Sequence, residues 1–485
     1  RPEAPRTGPC GPRKKFMKKS LEAVVFFCGA ATMILELLGS RILAPYVGTS
    51  IYVWTSLIGV ILGFLSAGNW YGGKISDKKP DAAVLSGVLL TAAVWIAVLA
   101  FVHDIVMVLV LQSMDDIRYA AILATVLLFG FPSFLLGMVS PYAVRLKLKT
   151  LATTGSTVGT LYALSTVGSI VGTFLAGFFL ISYFNNVTTL LLISILLLIL
   201  ALLLSRSFWG AKIAVVFLLM GGIASSNAYG AFLKGDLLDI NTSYNRVWIF
   251  NSTWGGALVK MMQVNDESDS AMFISGDDLV FDYTRYYSLV KHFNPEFKKT
   301  LMLGGAAYSF PKYYLKEFPE ASIDVVEIDP GITALAKKYF RLKDDPRLTI
   351  YHEDGRTFLN RTTEKYDAIF GDAFKSHSVP YQLATREAVQ KMYDALTDKG
   401  VAIMNIISSI EGEKGAFLRA ELATFRSVFP QVYIYPVQKP DSASMVQNII
   451  LVALKSPERT RLSGTDGKMN KLLFHIWIKE LPELE

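Results

Sequence analysis

The chain divides into two halves with different hydrophobic patterns. Between Leu21 and Tyr229 apolar residues run in long stretches, at 21–40, 51–71, 82–102, 119–141, 156–183, 187–205 and 211–229. Most approach the ~20 residues that carry a helix across a bilayer. They predict a multipass α-helical membrane domain of about seven helices over 17–229. From residue 230 the runs shorten. Residues 237–282 alternate apolar and polar positions (RVWIF, ALVKMMQV, AMFIS) around Asn251, Gly255 and Gly256, which predicts a small β-hairpin subdomain over 230–295. Beyond Thr300, strand-like and helix-like runs alternate: TLMLGG, PKYYLKEF, SIDVVEID and ITALAKKYF, then the strands LTIYHEDG, YDAIFGDAF and GVAIMNII. That alternation predicts a Rossmann-like α/β domain with a mostly parallel sheet over 296–485.

Composition agrees with a membrane half. The 485 residues are 52% hydrophobic and 18% charged, well under the roughly 25% charge of ordinary soluble proteins. Residues 1–16, before Met17, read as a leader or cloning scar. The net charge of +7 is unevenly placed. Residues 1–229 carry 17 Lys and Arg against 8 Asp and Glu, and residues 230–485 carry 31 against 33. A slightly acidic soluble half lacks the basic face that a polyanion needs, so no nucleic-acid partner is expected. The two cysteines, Cys10 and Cys28, lie outside the soluble half and form neither a disulfide framework nor a zinc site; no metal is expected.

The positive charge is a topology signal. Lys14, Lys15, Lys18 and Lys19 precede the first span; Lys74, Lys78 and Lys79 follow the second; Arg145, Lys147 and Lys149 follow the fourth; Arg206 and Lys212 follow the sixth. This alternation places the amino end and the even loops in the cytoplasm of a cell-membrane protein. The second loop, GGKISDKKP, resembles the cytoplasmic loop between spans two and three of major-facilitator transporters. Seven spans would then put the soluble half outside, whereas the chemistry below calls for a cytoplasmic donor. The interruption at His103 and Asp104 is where a miscount would arise. Gly155, Gly159, Ala163, Gly168, Gly172 and Ala176 recur at small-residue spacing and predict close helix packing. Glu36, five residues before Arg41, is an ionisable group at membrane depth. It is a functional candidate, or a structural partner of Arg41 or Asn69.

In the α/β half the polar residues gather at strand ends, where ligands bind in such sheets. Gly304 and Gly305 end the first strand, and their bare backbone lets a ligand approach. Glu327 ends the second, 23 residues after Gly304, near the offset at which an acid accepts ribose hydroxyls. Asp354, followed by Gly355, ends the third strand and Asp372 the fourth. No Lys follows a phosphate-loop pattern. These four strand ends predict a nucleoside held by carboxylates.

The segments LMLGG, VVEIDP, DDPRLTIYHEDGRTFL and YDAIFGDAF, within Tyr244–Ile407, resemble the spermidine synthase (polyamine aminopropyltransferase) family. ELLGSRILAPYVGTS and LYALSTVGSIVGTFLAGFFL are similar to its fused major-facilitator/spermidine synthase branch. The resemblance implies a class I methyltransferase-like fold, a role in polyamine biosynthesis, and usually a homo-oligomer such as a dimer. It implies decarboxylated S-adenosylmethionine or S-adenosylmethionine as cosubstrate, lined by Gly304 and Gly305, with Glu327 on the ribose and Asp354 on the adenine amine. Asp372 takes the place of the catalytic acid that deprotonates an amine acceptor. Tyr283 matches a substrate-pocket tyrosine, and Asn245 stands where the family often has Gln.

Three family acids are missing. Ala306, Ala307 and Tyr308 follow the glycines where the family has an acid; Lys375, followed by His377, replaces a second acid beyond the catalytic one; Arg285 stands near the pocket tyrosine. These substitutions work against a dication. Three functions stand open: the one the resemblance implies, a membrane-anchored aminopropyltransferase with Asp372 as base; methyl or alkyl transfer to an anionic or membrane-delivered acceptor held by Arg285 and Lys375; or a transporter or sensor whose nucleoside domain does not turn over. The expected partners are a small-molecule amine or other acceptor and the lipid bilayer.

Overall fold

A computed structural model describes residues 12–48, 51–114, 116–148, 154–205, 207–210, 212–216, 237–265, 267–373, 381–458, 460–463 and 466–478. The chain forms two compact units, Arg1–Gly235 and Asp236–Glu485.

Among the described residues of the first unit, six helices are long and apolar enough to cross a membrane. They are α1 (Pro12–Val47), α2 (Ile51–Lys78), α3 (Ala82–Ser113), α4 (Ile117–Lys147), α5 (Thr154–Leu180) and α6 (Asn186–Leu204). The expected break at His103 and Asp104 is absent: α3 runs through it, His103 bonds to the Leu99 carbonyl, and Tyr46 donates to Asp104 at 2.7 Å. Of the expected seventh stretch, residues 212–216 are helical and 217–229 lie outside the described residues.

Small residues set the spacing between helices. A Cβ on Gly168 would meet the Phe26 carbonyl oxygen at 2.0 Å, and one on Gly172 the Ala30 oxygen at 2.4 Å, so α5 lies directly against α1. Gly155 and Gly159, on the same spacing, face open space instead. Lys147 pairs with Glu22 at 2.6 Å and Arg145 with Asp77 at 3.4 Å, which brings the basic amino end, the second loop and the fourth loop to one end of the bundle. Glu36 is partly buried on α1.

The second unit opens with an antiparallel sheet, β1 (Leu238–Asn241), β2 (Arg246–Trp254), β3 (Ala257–Val264) and β4 (Glu267–Phe273). The turn between β2 and β3 takes φ of +55° at Gly255 and +83° at Gly256, a left-handed pair that glycine adopts without strain. A short helical stretch from Asp282 to Phe293 leads into the larger sheet. That sheet has seven strands in the order β10-β11-β9-β8-β5-β6-β7. The five strands β5 (Lys299–Leu303), β6 (Ser322–Val326), β7 (Leu348–Tyr351), β8 (Tyr366–Gly371) and β9 (Leu396–Ser408) are parallel, and β11 (Gln447–Leu454) pairs antiparallel with both β9 and β10 (Gln431–Pro436). Central strand runs such as VAIM (401–404) and AIFG (368–371) are apolar on both faces, as helix-covered sheets require. The helices between strands are α7 (Ser309–Glu317), α8 (Pro330–Tyr339), α9 (Gly355–Arg361), α10 (Arg386–Ala395) and α11 (Ala416–Arg426), followed by α12 (Gly467–Phe474). This is the expected Rossmann-like, methyltransferase-like architecture, and it presents the carboxyl ends of β5, β6, β7 and β8 along one edge.

Candidate active site

The turn after β5 fixes the centre of that edge. Gly304 has φ of +94°, and a Cβ there would sit 2.6 Å from the Asp372 carbonyl oxygen. Its N–H donates to Val326, while the Asp372 N–H donates to Leu303. Three strand ends are thereby tied together at a point only glycine fits. Ala306 (φ 43°) and Tyr308 (φ 55°) also take the left-handed region, so two side-chain-bearing residues are held in strained backbone beside the site. Tyr308 turns inward and shares a hydrogen bond with Thr333 at 2.7 Å.

Glu327, only 6% exposed, holds that turn in place. Its Oε2 accepts from the Gly305 N–H at 2.9 Å and the Ala306 N–H at 3.2 Å, and its Oε1 accepts from the Asp329 N–H at 3.0 Å. Burial pushes the Glu327 carboxyl up, against the three N–H groups that favour its charge. Asp329 braces the small sheet: it accepts from Thr242 and from Asn245 Nδ2 at 2.8 Å. Asn245 is thus buried at the Glu327 end of the site.

Asp372, partly buried just past β8, is gripped from two sides. Tyr283 Oη donates to its Oδ2 at 3.1 Å, and Asn405 Nδ2, from β9, donates to its Oδ1 at 3.1 Å. Asn448 Nδ2 in turn donates to Asn405 Oδ1 at 3.0 Å, and Gln438 Nε2 donates to Asn448 Oδ1 at 2.8 Å. The Tyr287 hydroxyl lies 3.5 Å from the Gly371 oxygen. Burial raises the Asp372 carboxyl above the ordinary carboxylate range, and the donors from Asn405, Tyr283 and Tyr287 pull it back in part. A partly shielded carboxylate with a raised pKa is suited to accepting a proton.

The structure brings Asp372, Tyr283 and Gly305 into one cleft, lined also by Ser270, Val280, Phe281, Met302 and Phe310. No Lys or Arg is among its described lining residues. Asp354 caps α9 through Thr357 N–H at 2.9 Å, with Gly355 as the first residue of that helix. Arg285 does not reach this cleft. It donates to the Leu279 carbonyl at 3.1 Å, lies 3.5 Å from Asp282, and lines a separate groove with Tyr286, Lys471 and His475. Lys375 and His377 lie outside the described residues. Sequence reasoning missed Asn405 and Asn448. The signal was present for Asn405, the one polar residue within the apolar run VAIMNII.

Residues 283–461, all in the second unit, match the family described as the spermine/spermidine synthase domain. A polyamine aminopropyltransferase of Vibrio vulnificus (strain CMCP6) is 27% identical over 232 residues, covering 47% of this chain and 73% of the relative. Another from Streptococcus pneumoniae (strain TIGR4) is 30% identical over 177 residues, 35% of this chain and 61% of the relative. The solved structure of a probable spermidine synthase from Corynebacterium glutamicum shares 21% identity, with a TM-score of 0.40, over 45% of this chain and 80% of that one. The chain spans about three fifths of the streptococcal relative's length.

Proposed function

We propose that this chain, which carries a spermine/spermidine synthase domain in its second unit, is a membrane-anchored alkyltransferase of the aminopropyltransferase type. It moves an alkyl group from a sulfonium donor, decarboxylated S-adenosylmethionine or S-adenosylmethionine, to an amine nitrogen. The observation that carries this reading is the Asp372 carboxylate, held between Tyr283 and Asn405 in the same cleft as the glycine turn.

The residues present suit such a donor. Carboxylates at the strand ends, Glu327 and Asp354, accept hydrogen bonds from ribose hydroxyls and an adenine amine, and the cleft offers no described cation for a phosphate. Glu327 spends lone pairs on the Gly305 and Ala306 amides and so fixes the turn the donor lies against. Bound there, the donor supplies an electrophilic carbon next to a positively charged sulfur. Asp372 takes the proton from the acceptor's ammonium, and the Gly304 contact keeps the turn and the base adjoining. Most of the acceleration comes from holding amine and carbon in line. Arg285, engaged by Asp282 and Leu279, favours an amine over an anionic acceptor.

The six apolar helices of the first unit support membrane anchoring, and the donor's cytosolic supply places the second unit on the cytoplasmic side. Calorimetry on the purified protein with S-adenosylmethionine, its decarboxylated form and methylthioadenosine tests the assignment. At least one is expected to bind; binding by none of them rules the transferase out.

A further inference from the structure

The glycine turn holds one side chain that its backbone does not favour. Tyr308 opens α7 with φ of 55° and ψ of 32°, the left-handed region that glycine takes without cost, and its side chain makes no cap bond to that helix. Its N–H donates to the Gly305 carbonyl at 2.7 Å and closes the turn. Its ring packs against Gly305: a Cβ there would lie 2.7 Å from the Tyr308 Cζ and 3.0 Å from its Oη. The ring is fully buried, and burial pushes the phenol above its ordinary range, so it keeps its proton.

That hydroxyl begins a chain of hydrogen bonds across the site. Tyr308 Oη lies 2.7 Å from Thr333 Oγ1, on the first turn of α8, and Thr333 Oγ1 lies 3.0 Å from His352 Nε2. Thr333 is 4% exposed, whereas His352 reaches the surface. Thr333 has one hydrogen to give, so the chain is directional: it runs from the phenol to the imidazole or from the imidazole to the phenol. Its members follow three neighbouring strands of the sheet, Tyr308 after β5, Thr333 after β6 and His352 after β7, two residues before Asp354.

We propose that Tyr308, Thr333 and His352 are donor-positioning residues, whose hydrogen-bonded chain holds the glycine turn in the shape that receives the donor nucleoside. This rests on the alkyltransferase reading above. Without the chain, the Tyr308 ring is unanchored in a backbone region that residues with a Cβ leave readily. Relaxation of Tyr308 carries Gly305 and Ala306 with it, and theirs are the amides that Glu327 holds. The donor then has to re-order the turn as it binds, which lowers affinity. Asp372 is gripped by Tyr283 and Asn405 from other elements, so the chemical step at saturating donor is spared.

The test uses the purified full chain in detergent. Calorimetry with methylthioadenosine and with decarboxylated S-adenosylmethionine reads affinity, and turnover with 1,4-diaminobutane separates KM from kcat. Thr333→Val keeps the shape and removes the hydroxyl; Tyr308→Phe removes the other end of the same bond. Each is expected to weaken donor binding about tenfold, the scale of one hydrogen bond, and to raise the donor KM alike, with kcat changed less than about threefold. Thr333→Ser restores the hydroxyl and is expected to recover most of the affinity. The double variant is expected to bind no more weakly than Thr333→Val, which already breaks both bonds. His352→Leu alters only the exposed end and is expected to cost about threefold. Affinity unchanged in Thr333→Val or in His352→Leu, a loss that Thr333→Ser shares, or a fall in kcat with donor KM unchanged overturns the inference and leaves the transferase reading standing. Binding of neither nucleoside by the parent protein overturns that reading, and this inference with it.

Discussion

Tyr283 Oη and Asp372 Oδ2 stand 3.1 Å apart, and that hydrogen bond joins the helical stretch after the small sheet to the end of β8. The phenol orients the carboxylate from one side while Asn405 holds it from the other. Replacing Asp372 by Asn keeps the shape and removes the base, so kcat should fall about 10²–10⁴-fold. Donor affinity, measured by calorimetry, should change little. Tyr283→Phe should cost less, about tenfold in kcat, because one of the two orienting bonds survives.

Activity should rise with pH as Asp372 loses its proton. Burial sets the midpoint of that acid limb above 3.8, the ordinary value for an aspartate. Asn405 donates to the charged form and so holds the midpoint down. Asn405→Leu should therefore move the limb to higher pH, and Asn448→Leu should move it the same way by less. A pH profile of kcat/KM for the three proteins checks the order.

Gly304→Ala should damage stability and donor binding together. The backbone there is left-handed at φ +94°, and the added carbon would lie 2.6 Å from the Asp372 oxygen. A cost of more than about 3 kcal/mol is expected, read as a lowered melting temperature of the detergent-solubilised protein. Gly355→Ala is the control, because a Cβ there meets its neighbours at 3.6 Å, an ordinary contact.

Much of this site was legible before any coordinates. The glycine turn, Glu327, Asp354 and Asp372 sit at strand ends because an alternating strand–helix sequence places its polar residues there. Tyr283 was legible through resemblance alone. Long-range pairing hid the rest. Nothing local shows that Asn448, on a strand running antiparallel, would reach Asn405, or that Asn245 would serve Asp329 rather than line the cleft. Arg285 looked like a substrate group by its sequence position, yet the helical stretch turns it into a different groove. The polar pair His103 and Asp104 looked like an interruption of a span, but Leu99 and Tyr46 accommodate it within one helix.

Glu421 on α11 is 2% exposed with Oε2 unpartnered, and burial lifts its carboxyl from the ordinary 4.5 to about 8. The folded protein then binds this proton more tightly than the unfolded chain does. Stability should be greatest in acid and fall as pH rises from about 4.5 to about 8, by roughly 3–5 kcal/mol for this group. Glu421→Gln, neutral throughout, should flatten that decline and melt higher than the parent at pH 8.

A protease added to intact cells should leave residues 236–485 uncut, and cut them once the membrane is opened. Cleavage in intact cells would place the second unit outside and separate it from a cytosolic donor.

The most direct measurement follows methylthioadenosine release by the purified full chain given decarboxylated S-adenosylmethionine and an amine, beside the Asp372→Asn protein. Release that requires the amine, yields the N-alkylated product by mass, and drops at least about a hundredfold in the variant is the predicted result. Equal release from both proteins, or binding of the donor with no transfer to any amine, would contradict the account.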